Sequence, residues 1–176
     1  MKNKILKLLA VISCIFIFII YFSAESLLMS GVQFNKQIHK DLIIINYNQP
    51  LSIIRELDKT LEYNYDFQNK LDFFSFVENI PVLNKSYVDA KKLTDISIFT
   101  INGLKITKEI EILKNKPSYQ ADQEIKTLNS TKKQYFIKAI YLINQIAQDS
   151  DYNLLIKPFR QQILKAKKEI EKWSNY

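Results

Sequence analysis

The chain has 176 residues and a formal net charge of +7, with two glycines, four prolines, one cysteine and one histidine. Two glycines are too few for turn-rich all-β folds or Rossmann-type phosphate loops, which need several positions with φ > 0. Cys14 alone excludes an intramolecular disulfide, and His39 alone leaves no usual zinc set and no choice of triad histidine. His39 lies in NKQIHKDL among polar neighbours, the setting of an exposed histidine. Hydrolase and metalloprotein chemistry are therefore disfavoured, and no cofactor or metal is expected. The length suits one domain with a modest core, or one domain and an anchor.

The positive charge is not arranged as a nucleic-acid binder would arrange it, with basic and aromatic residues on one face. Lys2, Lys4 and Lys7 precede an apolar run, and residues 23–150 nearly balance. The remaining excess lies in the last segment, where Lys157, Arg160, Lys165, Lys167, Lys168 and Lys172 oppose Asp151, Glu169 and Glu171. Lys165, Lys167, Lys168 and Lys172 form a candidate basic interaction patch, although a solvated helix face is the simpler reading. No nucleic-acid partner is expected.

From Ile5 the chain is apolar to Ala24, with Lys7 near enough to the start to snorkel, and the stretch matches the ~20 residues that span a bilayer. Leu8, Leu9, Ile12, Ile15, Phe16, Phe18, Ile19 and Phe22 are its candidate lipid-facing residues. Tyr21 and Phe22 stand where an aromatic interface belt belongs. Two rival readings exist. Ala24-Glu25-Ser26 fits a small-x-small cleavage site, but a secretory apolar region is usually shorter, and Leu27, Leu28 and Met29 let the helix run on. Val11-Ile12-Ser13-Cys14 fits a lipobox on paper, yet IFIFIIYF follows where polar residues are expected. A retained anchor is preferred. Residues 23–35 hold no Lys or Arg, so the basic start puts the N-terminus in the cytoplasm and the body outside. The expected organisation is a cytoplasmic tail over 1–4, a transmembrane anchor over 5–24, and an extracytoplasmic domain over 25–176, in one pass through the cell membrane.

The body reads as helices in sequence. NYNQP, Asn46 to Pro50, predicts a turn, with Pro50 in the first turn of a helix. Leu51, Ile54, Leu57 and Leu61 then recur at helical spacing, followed by Phe67, Leu71 and Phe74. FVENIPVL breaks the pattern at Pro81. Asn84 or Ser86 is the expected cap of the next helix, which carries Tyr87, Ala90, Leu93, Ile101 and Leu104 to about Lys114, before Pro117. Thr94 to Ile101, TDISIFTI, is β-branched enough for a strand, but no clear turn flanks it and a buried helix is preferred.

The strongest periodicity follows. Ile125, Leu128, Lys132, Tyr135, Ala139, Leu142 and Ile146 keep a three-to-four spacing, widened by Phe136, Ile140 and Ile143. AQDSDYN, Ala147 to Asn153, reads as a loop, and the last helix, about Pro158 to Trp173, repeats the spacing in Phe159, Ile163, Ala166, Ile170 and Trp173. Such spacing lets antiparallel helices bury a shared, coiled-coil-like seam, here expected to include Leu128, Tyr135, Leu142, Ile163 and Ile170. The expected fold is all-α: one transmembrane helix followed by an extracytoplasmic antiparallel helical bundle.

The sequence holds no phosphate loop after a strand, no EF-hand pattern and no HExxH. A basic start, one span, a helix, LDFFSFVENIPVLNKSYVDAKKLTDIS and two long amphipathic helices together resemble the N-terminal region of domain of unknown function family 4012. Ile80, Pro81, Val82 and Leu83 match that family's Leu-Pro-x-Leu-Gly stretch, with Ala90 and Leu93 in the helix beyond and Asn84 where the family often has Gly. The family's Asn-rich C-terminal motif has no counterpart in the chain. The resemblance implies a membrane-anchored bacterial surface protein and carries over no catalytic residue.

The function these features favour is a non-enzymatic scaffold or interaction protein of the cell envelope, with membrane lipid and other envelope proteins as partners and no oligomeric state specified. Two alternatives stand beside it: a ligand-sensing extracytoplasmic bundle, which would need a second span, and a secreted helical protein with a cleaved signal.

Overall fold

The structure is a computed structural model that describes residues 2–44, 50–115, 118–148 and 160–174. It contains helices α1 (Lys2–Ile44), α2 (Pro50–Phe73), α3 (Pro81–Lys114), α4 (Tyr119–Gln148) and α5 (Arg160–Ser174), with a short 3-10 turn at Ser75–Asn79. No strand occurs among the described residues, and the chain is all-α.

Helix α3 is the hub, packed against α1, α2, α4 and the 3-10 turn. A helix surrounded in this way must be apolar on all sides or must satisfy its own polar groups. It does both. Ile96, Ile98, Ile101 and Leu104 are buried, and so are Thr94, Ser97 and Thr100. Each of these three hydroxyls donates to the carbonyl four residues back: Thr94 to Ala90 at 2.9 Å, Ser97 to Leu93 at 3.0 Å and Thr100 to Ile96 at 2.7 Å. TDISIFTI is thus helical despite its β-branched content, because a hydroxyl that donates back to its own helix has its hydrogen satisfied where it is buried.

Polar contacts set the pairing of α2 with α3. Asp72 meets Lys91 at 2.8 Å, Gln68 donates to Asp95 at 3.0 Å, and Asp58 meets Lys105 at 2.7 Å. The first residue numbers fall as the second rise, so the two helices are antiparallel. These contacts are largely exposed and fix register more than they add stability.

The hairpin between them turns through the 3-10 segment. Ile80, extended at φ −95° and ψ 110°, caps α3, and Pro81 takes the first helical position, where its missing N–H costs nothing. The expected cap at Asn84 or Ser86 is therefore corrected to Ile80. Asn84 still braces the corner, its side-chain amide donating to the Glu78 carbonyl.

Apolar side chains form two clusters. The lower one joins Ala24 and Leu28 of α1 to Phe67 and Leu71 of α2, Val77 of the turn, and Leu83, Tyr87 and Ala90 of α3. Its buried Tyr87 hydroxyl donates to the Leu71 carbonyl at 3.0 Å. The upper one centres on Ile96, Ile101, Phe136, Ala139 and Ile143, with Val32, Leu57, Ile163 and Ile170 from the surrounding helices.

The seam of α4 differs from expectation. Phe136, Ala139, Ile143 and Ile146 are buried, whereas Leu128, Tyr135 and Leu142 are only half-buried. Lys132, Ala139 and Ile146 of the expected spacing are buried, and Phe136 and Ile143, expected only to widen it, take the places of Tyr135 and Leu142 between them. Ile163 and Ile170 are buried as expected. Ala147 and Gln148 continue α4 rather than starting a loop. The expected turn at 46–49, the rest of the loop at 149–153, and Pro158 and Phe159 lie outside the described residues.

Candidate functional site

The most distinctive surface belongs to α1. Leu8, Leu9, Ile12, Ile15, Phe16, Phe18, Ile19 and Phe22 are all exposed, each by more than half. So much apolar surface is far beyond what a soluble monomer leaves in water. Lys4–Gln33 is one helix long and apolar enough to cross a membrane. The Phe18 and Phe22 rings stack along it at 6.1 Å, and Cys14 is exposed within the same stretch.

The helix does not end with this stretch. Beyond Ser23 the same helix is buried on one side at Ala24, Leu28, Gly31 and Val32. Gly31 lies under the ring of Phe67, where a Cβ would overlap it. The apolar stretch and the first helix of the bundle are therefore one rod without a joint.

The basic patch is less compact than the sequence suggests. Lys165, Lys168 and Lys172 are exposed on α5 at spacings of three and four, and so share a face. Lys167 is half-buried on the other flank, 3.7 Å from Glu171, and Lys172 pairs with Glu169 at 2.7 Å. Trp173 and Phe136 are 6.4 Å apart, and Phe136 overlies Gly103. Gly103 is twenty residues along α3 from Leu83 of the lower cluster, about 30 Å at 1.5 Å per residue. Lys172 thus stands well up the bundle from Ala24, farther than a Debye length of ~8 Å.

Burial perturbs several ionisable groups inside the bundle, Asp89, Asp95 and Lys132 among them. Asp89 is buried and neither carboxylate oxygen accepts a hydrogen bond from a described residue. Lys85 stands 3.6 Å away. Burial raises the pKa of Asp89, against the opposing pull of Lys85 and Lys92. Burial likewise raises Asp95, against Lys91. Lys132 is lowered by burial and by repulsion from Lys114. These groups are scattered over the helices rather than gathered around one reacting position. Among the described residues, no three His, Cys, Asp or Glu side chains lie together as a metal site would require.

Sequence reasoning did not single out Phe73 and Phe76 as surface residues. Phe73 is 78 % exposed and Phe76 42 %. The signal was present in DFFSF, three phenylalanines in four residues at the point where helical spacing breaks.

The chain matches no protein-family model, and no curated protein or solved structure is similar to it. The residues quoted for the resemblance to family 4012 occupy the corner between α2 and α3: Ile80 caps, Pro81 starts the helix, and Leu83, Ala90 and Leu93 are buried.

Proposed function

We propose that the protein is a single-pass membrane protein that keeps its N-terminal helix, with the N-terminus in the cytoplasm and the bundle outside. It serves the bacterial cell envelope as a non-catalytic scaffold or interaction subunit. The observation that carries this reading is the jointless passage of α1 from exposed apolar surface into the bundle core between Phe22 and Ala24. A bundle continuous with its anchor is held at a fixed angle to that anchor, which suits a protein that presents surfaces to neighbours.

Retention is supported by the packing of Ala24. The residue is 1 % exposed and lies among Phe67, Leu71 and Tyr87 in the lower cluster, so its small size has a cause other than peptidase recognition. Orientation rests on Lys2, Lys4 and Lys7 at one end of the apolar stretch and their absence from 23–35 at the other. Membership of the envelope rests on the resemblance at Ile80–Leu83. The surfaces offered to partners are the outer faces of α4 and α5, including exposed Tyr141, Ile137 and Leu164 and the lysine stripe at Lys165, Lys168 and Lys172.

Crosslinking in native membranes followed by mass spectrometry tests the reading. The scaffold predicts reproducible crosslinks from α4 or α5 to another envelope protein. A chain that crosslinks to nothing and binds a small molecule tightly would contradict it.

A further inference from the structure

The corner between α2 and α3 carries three phenylalanines with different fates. Phe74 is half-buried and packs on the lower cluster, which Ala24 and Leu28 of α1 help to form. Its ring meets Phe73 edge-on at 5.2 Å and Phe76 at 5.9 Å. Phe74 thus pins the group to the bundle, while Phe73 and Phe76 project outward.

The position of this corner along α1 gives the exposure its meaning. Tyr21 and Leu27 are half-buried on the same lower cluster as Phe74, and Phe22 beside them is exposed. The phenylalanines therefore stand level with the end of the apolar stretch, the depth at which aromatic side chains gather in membrane proteins.

We propose that Phe73 and Phe76 insert into the headgroup–acyl boundary of the membrane that α1 spans, giving the bundle a second attachment point. The inference rests on the reading of α1 as a retained span. Lipid is the occupant because the patch adjoins the cluster on which the anchor ends: Phe74 and Tyr21 pack on one cluster, and Phe73, Phe76 and Phe22 near them in sequence are exposed. Lys70, Asp72 and Glu78 around the corner carry both signs, so the attachment does not depend on anionic lipid. A span alone lets the rod tilt in any direction within the bilayer. A second contact at the α2–α3 corner selects the tilt that brings this corner to the membrane surface, and so sets which helices lie farthest from the lipid.

The test uses the full chain in vesicles of zwitterionic lipid, with Trp173→Phe as background and one new tryptophan at a time. Phe73→Trp reports the corner, and Phe18→Trp reports the anchor. Tyr119→Trp reports the far end of α3, whose 34 residues extend about 50 Å. Phe73 and Tyr119 are almost equally exposed, at 78 % and 79 %, so neither substitution disturbs packing. Lipids brominated high or low on the acyl chain serve as quenchers.

The proposal predicts loss of Phe73→Trp emission with high bromines and full emission from Tyr119→Trp. Phe18→Trp should be quenched by low bromines. If Phe18→Trp is quenched while Phe73→Trp matches Tyr119→Trp, the second attachment is wrong and the span stands. Equal quenching at 73 and 119 also overturns it, since contact would not be specific to this corner. An unquenched Phe18→Trp overturns the retained span and the inference with it.

Discussion

Gly103 of α3 lies beneath the ring of Phe136 from α4, with no room between them for a methyl group. Phe136 is fully buried and its ring is backed by Trp173 at 6.4 Å, so it cannot swing aside. Helix propensity alone favours Ala over Gly by about 1 kcal/mol. Overpacking reverses the sign, and Gly103→Ala is expected to destabilise the bundle by about 1–3 kcal/mol. Melting of the detergent-solubilised chain by far-UV circular dichroism checks this. In the Phe136→Leu background, the same substitution should cost much less, because the two residues share one space.

A second comparison tests where the seam of α4 runs. Ile143 is fully buried, whereas its neighbour Leu142 is half-buried. Ile143→Asp places an unpaired carboxylate in the core, at a cost of several kcal/mol that rivals a domain's whole margin of ~5–15 kcal/mol. It is expected to abolish cooperative melting. Leu142→Asp leaves its carboxylate a path to water and should lower the melting temperature without removing the transition. Equal damage from both would place the seam where the spacing alone put it.

These two cases show what the sequence made legible. Helix number, helix order and the helical state of TDISIFTI follow from spacing, proline positions and scarcity of glycine. The α4 stripe departs from expectation at Tyr135 and Leu142, because their neighbours Phe136 and Ile143 fit the same three-to-four spacing around Lys132, Ala139 and Ile146. Which of two overlapping stripes is buried depends on the angle between the neighbours, and that is a tertiary fact. The Ile80 cap escaped notice for a related reason: its backbone is extended, yet its side chain is not a capping type. The apolar stretch of α1 was plain from composition. Its continuation into the core was not, since only the packing of Ala24, Leu28 and Gly31 reveals it.

Lys132 offers a pH-dependent test. It is buried, and its pKa in the folded chain is lowered by burial and by Lys114. The unfolded chain then binds more protons than the folded one between the lowered folded value and the ordinary lysine value. Stability from this group rises with pH across that window, is complete above the ordinary lysine value, and is lost as pH falls through the window. Lys132→Met keeps an apolar side chain in place of the lysine stem and removes the charge. Its melting temperature should exceed that of the natural chain at neutral pH, with the gap closing as pH approaches the ordinary lysine range. A gap that stays constant with pH would show that burial of the charge is not its origin.

The lysines of α5 separate attachment from stability. Replacing Lys165, Lys167, Lys168 and Lys172 with Gln breaks two ion pairs that are partly or largely exposed, and should change stability by no more than about 0.5 kcal/mol. Salt-sensitive retention of the protein on an anionic polymer column should fall. Retention unchanged at low salt would reduce the stripe to a solvated helix face.

The central claim is that one helix serves as both anchor and first bundle element, so that it remains in the mature protein. Alkaline carbonate washing of membranes, with the intact mass of the protein determined in pellet and supernatant, tests it most directly. The account predicts a pelleted species that retains residues 5–24. A soluble species that begins between Ala24 and Leu27 would contradict it.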